Sequence, residues 1–415
     1  MLQSLLKKNN SRDIFTSDYF HSGDCVMSEQ KNKLKISAGV TEPWFIPEYP
    51  DQPIYAVIPR RYDPDKPIGL FFFMHGGDAS SPPEQPFNYY INEKNGVLQP
   101  HIADIPFITV APAALPAVDG KRWNRSYVAG YILAVIDDVC SKFNIDRDRI
   151  ILGGHSMGGF GAYHNAPLLA DKFAGVLLSA GAWLEEDFRG CLGTPLYIMH
   201  GKWDCAYQYR GGHKEPRHHD WCGVSFARAA HELMLKYDIE HIYDEHSGGH
   251  GLEWEPSQLA FKRFLAWAAR QKRAPYSSRC AVVMPNGSKD PDLENRNQSR
   301  WLKITGTLPG SISLDKIVLT GPNIAWTPDK LEAQSFYLSK AEHPGARLTG
   351  ENLGNNRFEF TAENISSFVC YLHPEMADLT KDLFFKVNGR EYRCTPEPAD
   401  DHPDYTMLVR CILRC

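Results

Sequence analysis

The chain has 415 residues, 43% of them hydrophobic and 23% charged, which excludes wholesale disorder, a collagen-like repeat and a disulfide miniprotein. At roughly 150 residues per domain it holds two or three domains. Its net charge of −5, with basic residues scattered, argues against a nucleic-acid or anionic-membrane partner, and no run of about 18 apolar residues offers a membrane span.

Residues 1–45 are polar with weak periodicity and read as an N-terminal extension. Met1–Phe15 lacks the apolar core and small-residue cleavage site of an export leader. The compartment therefore stays open, with the cytoplasm favoured. The ten cysteines contain no CxxC pair and are expected to be reduced, although Cys205 and Cys222 flank a loop that they could bridge.

Residues 46–275 alternate short apolar runs with helix-period stretches, the pattern of βαβ units and a mostly parallel sheet covered by helices on both faces. Predicted strands are 54–58, 69–74, 107–111, 150–153, 175–179, 196–200 and 241–245. Predicted helices are 129–143, 158–170, 224–237 and 257–271. Composition shifts around 285–300 to Pro, Asn, Gly, Ser and charge, as in a linker or long turn. Beyond it only short alternating runs occur: 301–305, 312–320, 357–361, 368–372, 383–387 and 407–412. Asn388-Gly389 between two such runs signals a type I′ hairpin. Residues 276–415 thus read as a smaller all-β, sandwich-like domain.

Gly154-His155-Ser156-Met157-Gly158 fits G-x-S-x-G, directly after an apolar strand and at the start of a helix pattern. A sharp strand-to-helix turn needs small residues two places either side of the serine, and it presents the hydroxyl at the sheet edge over a helix N-terminus. Ser156 is therefore the candidate nucleophile. A serine needs a base held in one tautomer by an acid, and on this fold the chain order is Ser, acid, His. Asp204 follows the apolar run ending His200-Gly201, with Asp220 as the alternative acid. His250 lies in Gly248-Gly249-His250-Gly251 past the last strand, with His246 as its competitor. The strand Phe71–Met74 ends in His75-Gly76-Gly77-Asp78, where a second oxyanion donor belongs. The backbone N–H groups of Met157 and Gly77 are the expected donors; a one-residue shift would make the second donor Asp78.

With these parts in order, the chain resembles the α/β-hydrolase superfamily. Ser141–Ile150 running into Gly-His-Ser-Met-Gly-Gly, and Gly248-Gly249-His250 with Trp254 downstream, resemble the branch of polyhydroxybutyrate depolymerases, feruloyl esterases and esterase D-like enzymes. The likeness covers about residues 50–275. It implies Ser156 as nucleophile, His250 as base and acid, Asp204 as its partner, and Met157 and Gly77 as oxyanion donors. The segment 183–195 is too short for a lipase lid.

Loops at the strand C-termini shape the pocket in open α/β sheets. His75, Asp78, Trp203, Tyr207 and Arg210 are candidate substrate-binding residues there. Trp123 and Tyr127 could also line it, and Trp301 and Tyr337 could bind carbohydrate, although packing is the simpler role for these aromatics. His213, His218 and His219 lack a recognised metal-ligand spacing, so neither metal nor cofactor is expected. The expected function is a serine esterase acting on a small-molecule or polymer-borne ester. A prolyl-oligopeptidase-like peptidase on the same scaffold is the alternative, and a carbohydrate- or surface-binding protein with an inactive hydrolase domain is the reading from another class. Oligomeric state is not legible.

Overall fold

The computed structural model describes residues 39–413, apart from 117–121, 205–206, 211–212, 217–221, 286–295 and 321–334, the isolated positions 79, 93, 95, 103–104, 126, 184 and 401, and the side chains of 205–221. Residues 39–246 contain a nine-stranded sheet. Its strands are β1 (Gly39–Val40), β2 (Trp44–Ile46), β3 (Tyr49–Ile58), β4 (Ile68–Met74), β5 (Phe107–Pro112), β6 (Ile145–His155), β7 (Gly175–Ser179), β8 (Leu196–Gly201) and, after the small β9 (Tyr207–Arg210) and β10 (His213–Pro216) hairpin, β11 (His241–His246). The order is β1-β3-β5-β4-β6-β7-β8-β11, with β2 on β3. From β5 to β11 every neighbour is parallel, and β3 joins β5 antiparallel.

Alternation along the strands decides which face each side chain covers. Leu70, Phe72 and Met74 enter one core with Leu152, Val176 and Ile198; Phe71 and Phe73 enter the other with Ile151, Leu177 and Tyr197. Four longer helices cover these faces: α2 (Val128–Lys142), α3 (Met157–Leu169) and α4 (Val224–Lys236) the first, α5 (Glu255–Ala268) the second; α1 (Gln99–Ile102) is a single turn. The apolar faces explain the assignment: α2 buries Tyr131, Ile132, Val135 and Val139, and α5 buries Phe261, Phe264 and Trp267. No described helix is long and apolar enough to cross a membrane.

Beyond residue 278 the described residues form strands and turns. Strands β12 (Arg279–Pro285), β15 (Ser311–Thr320), β16 (Ser335–Gly354), β17 (Arg357–Glu363), β19 (Leu383–Val387) and β20 (Arg390–Cys394) form a six-stranded sheet. Strands β13 (Gln298–Ser299), β14 (Leu302–Thr307), β18 (Ile365–Leu372), β21 (Glu397–Pro398) and β22 (Met407–Ile412) form a five-stranded one. Side chains of both sheets meet in one core around Trp301, Phe358, Phe360 and Phe368. The 388–389 turn has positive φ at both residues, 47° and 83°, as a type I′ turn requires.

This part does not stand apart from the large sheet. Ile317 enters the first core, with Leu319, Phe336 and Leu338 packed on it. The stretch expected as a linker ends in Arg300, a buried residue whose guanidinium donates to Ala274 O, Leu192 O and Gly193 O at 3.1, 3.1 and 2.8 Å. Cys140, Cys191, Cys280, Cys370, Cys394 and Cys411 are free thiols, and Cys205, half of the bridge considered from sequence, lies outside the described residues.

Candidate active site

Three loops at the carboxyl edge of the parallel sheet bring the expected residues together. Ser156 follows β6, Asp204 follows β8, and His250 lies past β11. Ser156 sits at φ 58°, ψ −118°, a conformation that costs an L-residue energy and that tertiary packing must hold. Two contacts hold it. Its N–H donates to Ser179 O at 3.1 Å, and Gly158 lies against the β4 end so tightly that a Cβ there would run into Met74 O. Helix α3 begins at the next residue, Met157, so the N–H groups of Met157, Gly158 and Gly159 have no carbonyl four residues back within the helix, and Phe160 N–H is the first to find one, Ser156 O at 3.0 Å.

His250 Nε2 lies 2.8 Å from Ser156 Oγ. Its Nδ1 lies 2.9 Å from both oxygens of Asp204. A carboxylate accepts only, so Nδ1 carries the proton, and Nε2 offers its lone pair to the serine O–H. The imidazole edge is 36% exposed while the Asp204 carboxylate is fully buried, so the ring links a dry acid to the open face of the site. Burial alone would raise the Asp204 carboxyl, but the hydrogen bonds and charge of His250 and His200 hold it far below its ordinary value.

His200 was not singled out from sequence. It ends β8 four residues before the acid, is fully buried, and places Nε2 2.8 Å from Asp204 Oδ2 and 3.0 Å from Cys222 O. The only hint was its place in His200-Gly201-Lys202-Trp203-Asp204, and a histidine at a strand end is more often packing. Two other imidazoles surround the pair. His155 faces the His250 ring at 5.2 Å and meets Ser179 Oγ at 3.0 Å; burial and the neighbouring His250 push it well below its ordinary value. His246, the sequence competitor for the base, is buried with Nδ1 accepting the Gly248 N–H at 3.2 Å, and burial pushes it down to about 4. Asp220 lies outside the described residues.

On the opposite rim, Gly77 follows β4 with φ 129°, a conformation that favours glycine. The N–H groups either side of it are engaged: Gly76 donates to Tyr90 Oη at 2.6 Å and Asp78 to Ser81 Oγ at 2.9 Å. Asp78 is exposed, its carboxylate accepting from the Ser80 N–H at 2.8 Å and hydroxyl at 2.6 Å.

The structure corrects His75 as a substrate contact. The residue is fully buried; its Nε2 accepts the Ala114 N–H at 3.0 Å, leaving Nδ1 to donate to Gly76 O at 2.7 Å. It braces the loop and touches no open space. Trp123 is likewise buried, its Nε1 donating to His75 O at 3.1 Å, and Trp301 is core. Tyr127 is exposed and donates to Pro116 O at 3.2 Å, and Tyr337 is exposed on β16. Trp203 is half-buried beside the acid, with Lys202 Nζ 4.8 Å over its ring and its N–H donating to Gly248 O at 3.0 Å. The side chains of Tyr207 and Arg210 lie outside the described residues.

Asp204, Cys222 and His250 offer donor atoms within 4.8 Å of one another, the one described group with metal-like spacing. The carboxylate is already taken by two imidazoles, a chain suited to moving a proton rather than an open coordination sphere.

No family model matches the chain. A bifunctional acetylxylan esterase/xylanase of Neocallimastix patriciarum is 24% identical over 158 residues, covering 38% of this chain and 22% of that protein. Among solved structures, a thermostable esterase is similar at 18% identity and TM-score 0.43, over 56% of this chain and 62% of that one. A ferulic acid esterase is similar at 14% identity and TM-score 0.41, over 57% and 99%. An S-formylglutathione hydrolase of Staphylococcus aureus is similar at 18% identity and TM-score 0.38, over 56% and 100%. The chain thus spans about a fifth of the length of the curated relative it matches.

Proposed function

We propose that the protein is a serine hydrolase that cleaves carboxylic esters through an acyl-enzyme. The observation that carries this reading is a single imidazole bridging a strained serine and a buried carboxylate. In this reaction Ser156 Oγ attacks the ester carbonyl as His250 Nε2 takes its proton. The oxyanion forms against the N–H groups of Met157 and Gly77, at the positive end of α3. His250 then hands the proton to the leaving alcohol. Water, deprotonated by the same nitrogen, attacks the acyl-enzyme and releases the acid.

Asp204 keeps the ring in the productive tautomer and offsets the charge the ring acquires. The substrate is a small-molecule or polymer-borne ester, with Trp203 and Asp78 on the rim that receives it. Residues 276–415 serve as a sandwich-like appendage braced against the hydrolase unit.

The test is labelling by a fluorophosphonate, together with hydrolysis of a simple aryl ester, for the parent and Ser156→Ala. Loss of both in the variant, by several orders of magnitude in rate, supports the assignment. Retained turnover rejects it. Acetyl, feruloyl and peptide substrates assayed side by side then separate ester from peptide cleavage.

A further inference from the structure

We propose that His200 is a positioning residue of the esterase site, fixing the Asp204 carboxylate in the plane from which it grips His250. The inference rests on the esterase reading and extends it to a residue outside the Ser-His-Asp set.

His200 Nε2 faces only acceptors, Asp204 Oδ2 and Cys222 O. It therefore carries a hydrogen and donates to both. Its Nδ1 is buried without a hydrogen-bond partner among the described residues, so no other polar contact sets the ring's orientation. A fully buried imidazole spent on a carboxylate and a carbonyl does two things. It clamps the carboxylate against rotation through Oδ2, keeping both oxygens 2.9 Å from His250 Nδ1. It also draws electron density from the carboxylate, which lowers the proton affinity that Asp204 confers on His250.

The surrounding groups do not duplicate this. His155 engages Ser179 Oγ, and His246 accepts from Gly248. Both are held neutral by burial first. The Cys222 thiol lies within 4.8 Å of the donor atoms of Asp204 and His250. Among the described imidazoles at the ends of β6, β8 and β11, His200 is the one whose Nε2 lies within 2.8 Å of the acid.

The test compares His200→Leu, which removes the donor, with His200→Gln, which keeps an N–H near the Nε2 position. Aryl-ester kinetics are taken across pH, with active sites counted by fluorophosphonate titration. Losing a donor to a buried carboxylate predicts a drop in kcat on the order of 10- to 100-fold for His200→Leu at little-changed KM. The acid limb of kcat/KM should move to higher pH, because an unclamped carboxylate holds the His250 proton more tightly. His200→Gln should recover to within about threefold of the parent.

A merely structural role would lower the titrated fraction of sites without moving the limb. The proposal is overturned if His200→Leu keeps the parent's kcat and limb, or if its loss vanishes per titrated serine. It is equally overturned if His200→Gln, read alone should the leucine variant not fold, falls more than about tenfold short. Turnover persisting in Ser156→Ala would instead defeat the esterase reading itself.

Discussion

Replacing Asp204 by Asn tests the site where sequence and structure meet. The parent carboxylate accepts from two imidazole N–H groups, His250 Nδ1 at 2.9 Å and His200 Nε2 at 2.8 Å. An amide of the same shape has one accepting oxygen and one donating NH2, so one of the two imidazoles must meet a donor. His200 cannot turn away cheaply, since its ring is fully enclosed and its Nε2–H also serves Cys222 O. The exposed edge belongs to His250, so His250 is the ring that yields: it moves its proton to Nε2, where it faces Ser156 Oγ and no base is left. A base in the wrong tautomer costs about 10⁴-fold in kcat, or about 5.5 kcal/mol at 1.36 kcal/mol per decade. The assay is aryl-ester hydrolysis from pH 6 to 10, with near-ultraviolet circular dichroism to show that the fold is kept. Turnover should be slow and should climb with pH as hydroxide substitutes for the base. A folded variant within about tenfold of the parent at neutral pH would refute the tautomer argument.

Three further outcomes are expected. Gly158→Ala drives a Cβ into Met74 O and within 3.0 Å of His75 O, both backbone, so it should cost about 1–3 kcal/mol and more than about 100-fold in kcat as Ser156 shifts; Gly389→Ala, with φ 83° but open space around it, should cost about 1 kcal/mol and leave activity intact, and equal effects on activity would contradict this. His246 binds its proton at an ordinary 6.5 when unfolded and at about 4 when folded, so stability should fall as pH drops through that window, by about 2 kcal/mol at pH 5 relative to pH 7.5; urea unfolding of His246→Asn should show that much less loss, and an identical pH dependence would refute it. Arg300→Met strips donors from three carbonyls and should destabilise by roughly 2–4 kcal/mol, the vanished desolvation of the guanidinium offsetting part of the loss; unfolding should split into two transitions as the β part uncouples, and an unchanged single transition would count against the bridge.

Local pattern was enough for the elements that carry chemistry. Apolar runs bounded by glycine and charge placed 175–179 and 383–387 at the bounds the structure gives and 69–74, 107–111, 196–200 and 241–245 within one residue. By contrast, 54–58 and 150–153 each begin five residues earlier in the structure, and β1 and β2, at the end of the stretch read as an extension, were missed. The 20-residue β16 was missed, because its charged residues and Pro344-Gly345 break the alternation and only pairing with β12, β15 and β17 keeps it extended. Arg300 was folded into a linker for a similar reason: its partners are carbonyls near residue 193, and nothing local marks a guanidinium for burial. His75 was misassigned because a histidine after a strand looks the same whether it faces a cleft or a wall.

The residue types and chain order alone determined that a serine in a glycine-flanked turn, an acid past a later strand and a histidine past the last one were present to be assembled. Spacing along a chain carries no distance through space, so only the tertiary structure decided which acid and which histidine meet the serine. Parallel strands direct all their carboxyl ends to one edge, and that shared direction brings residues 156, 204 and 250 within hydrogen-bond reach. The same packing sends His246 into the interior and sets His200 behind the acid, an arrangement in which neighbours are chosen by sheet order rather than by sequence order.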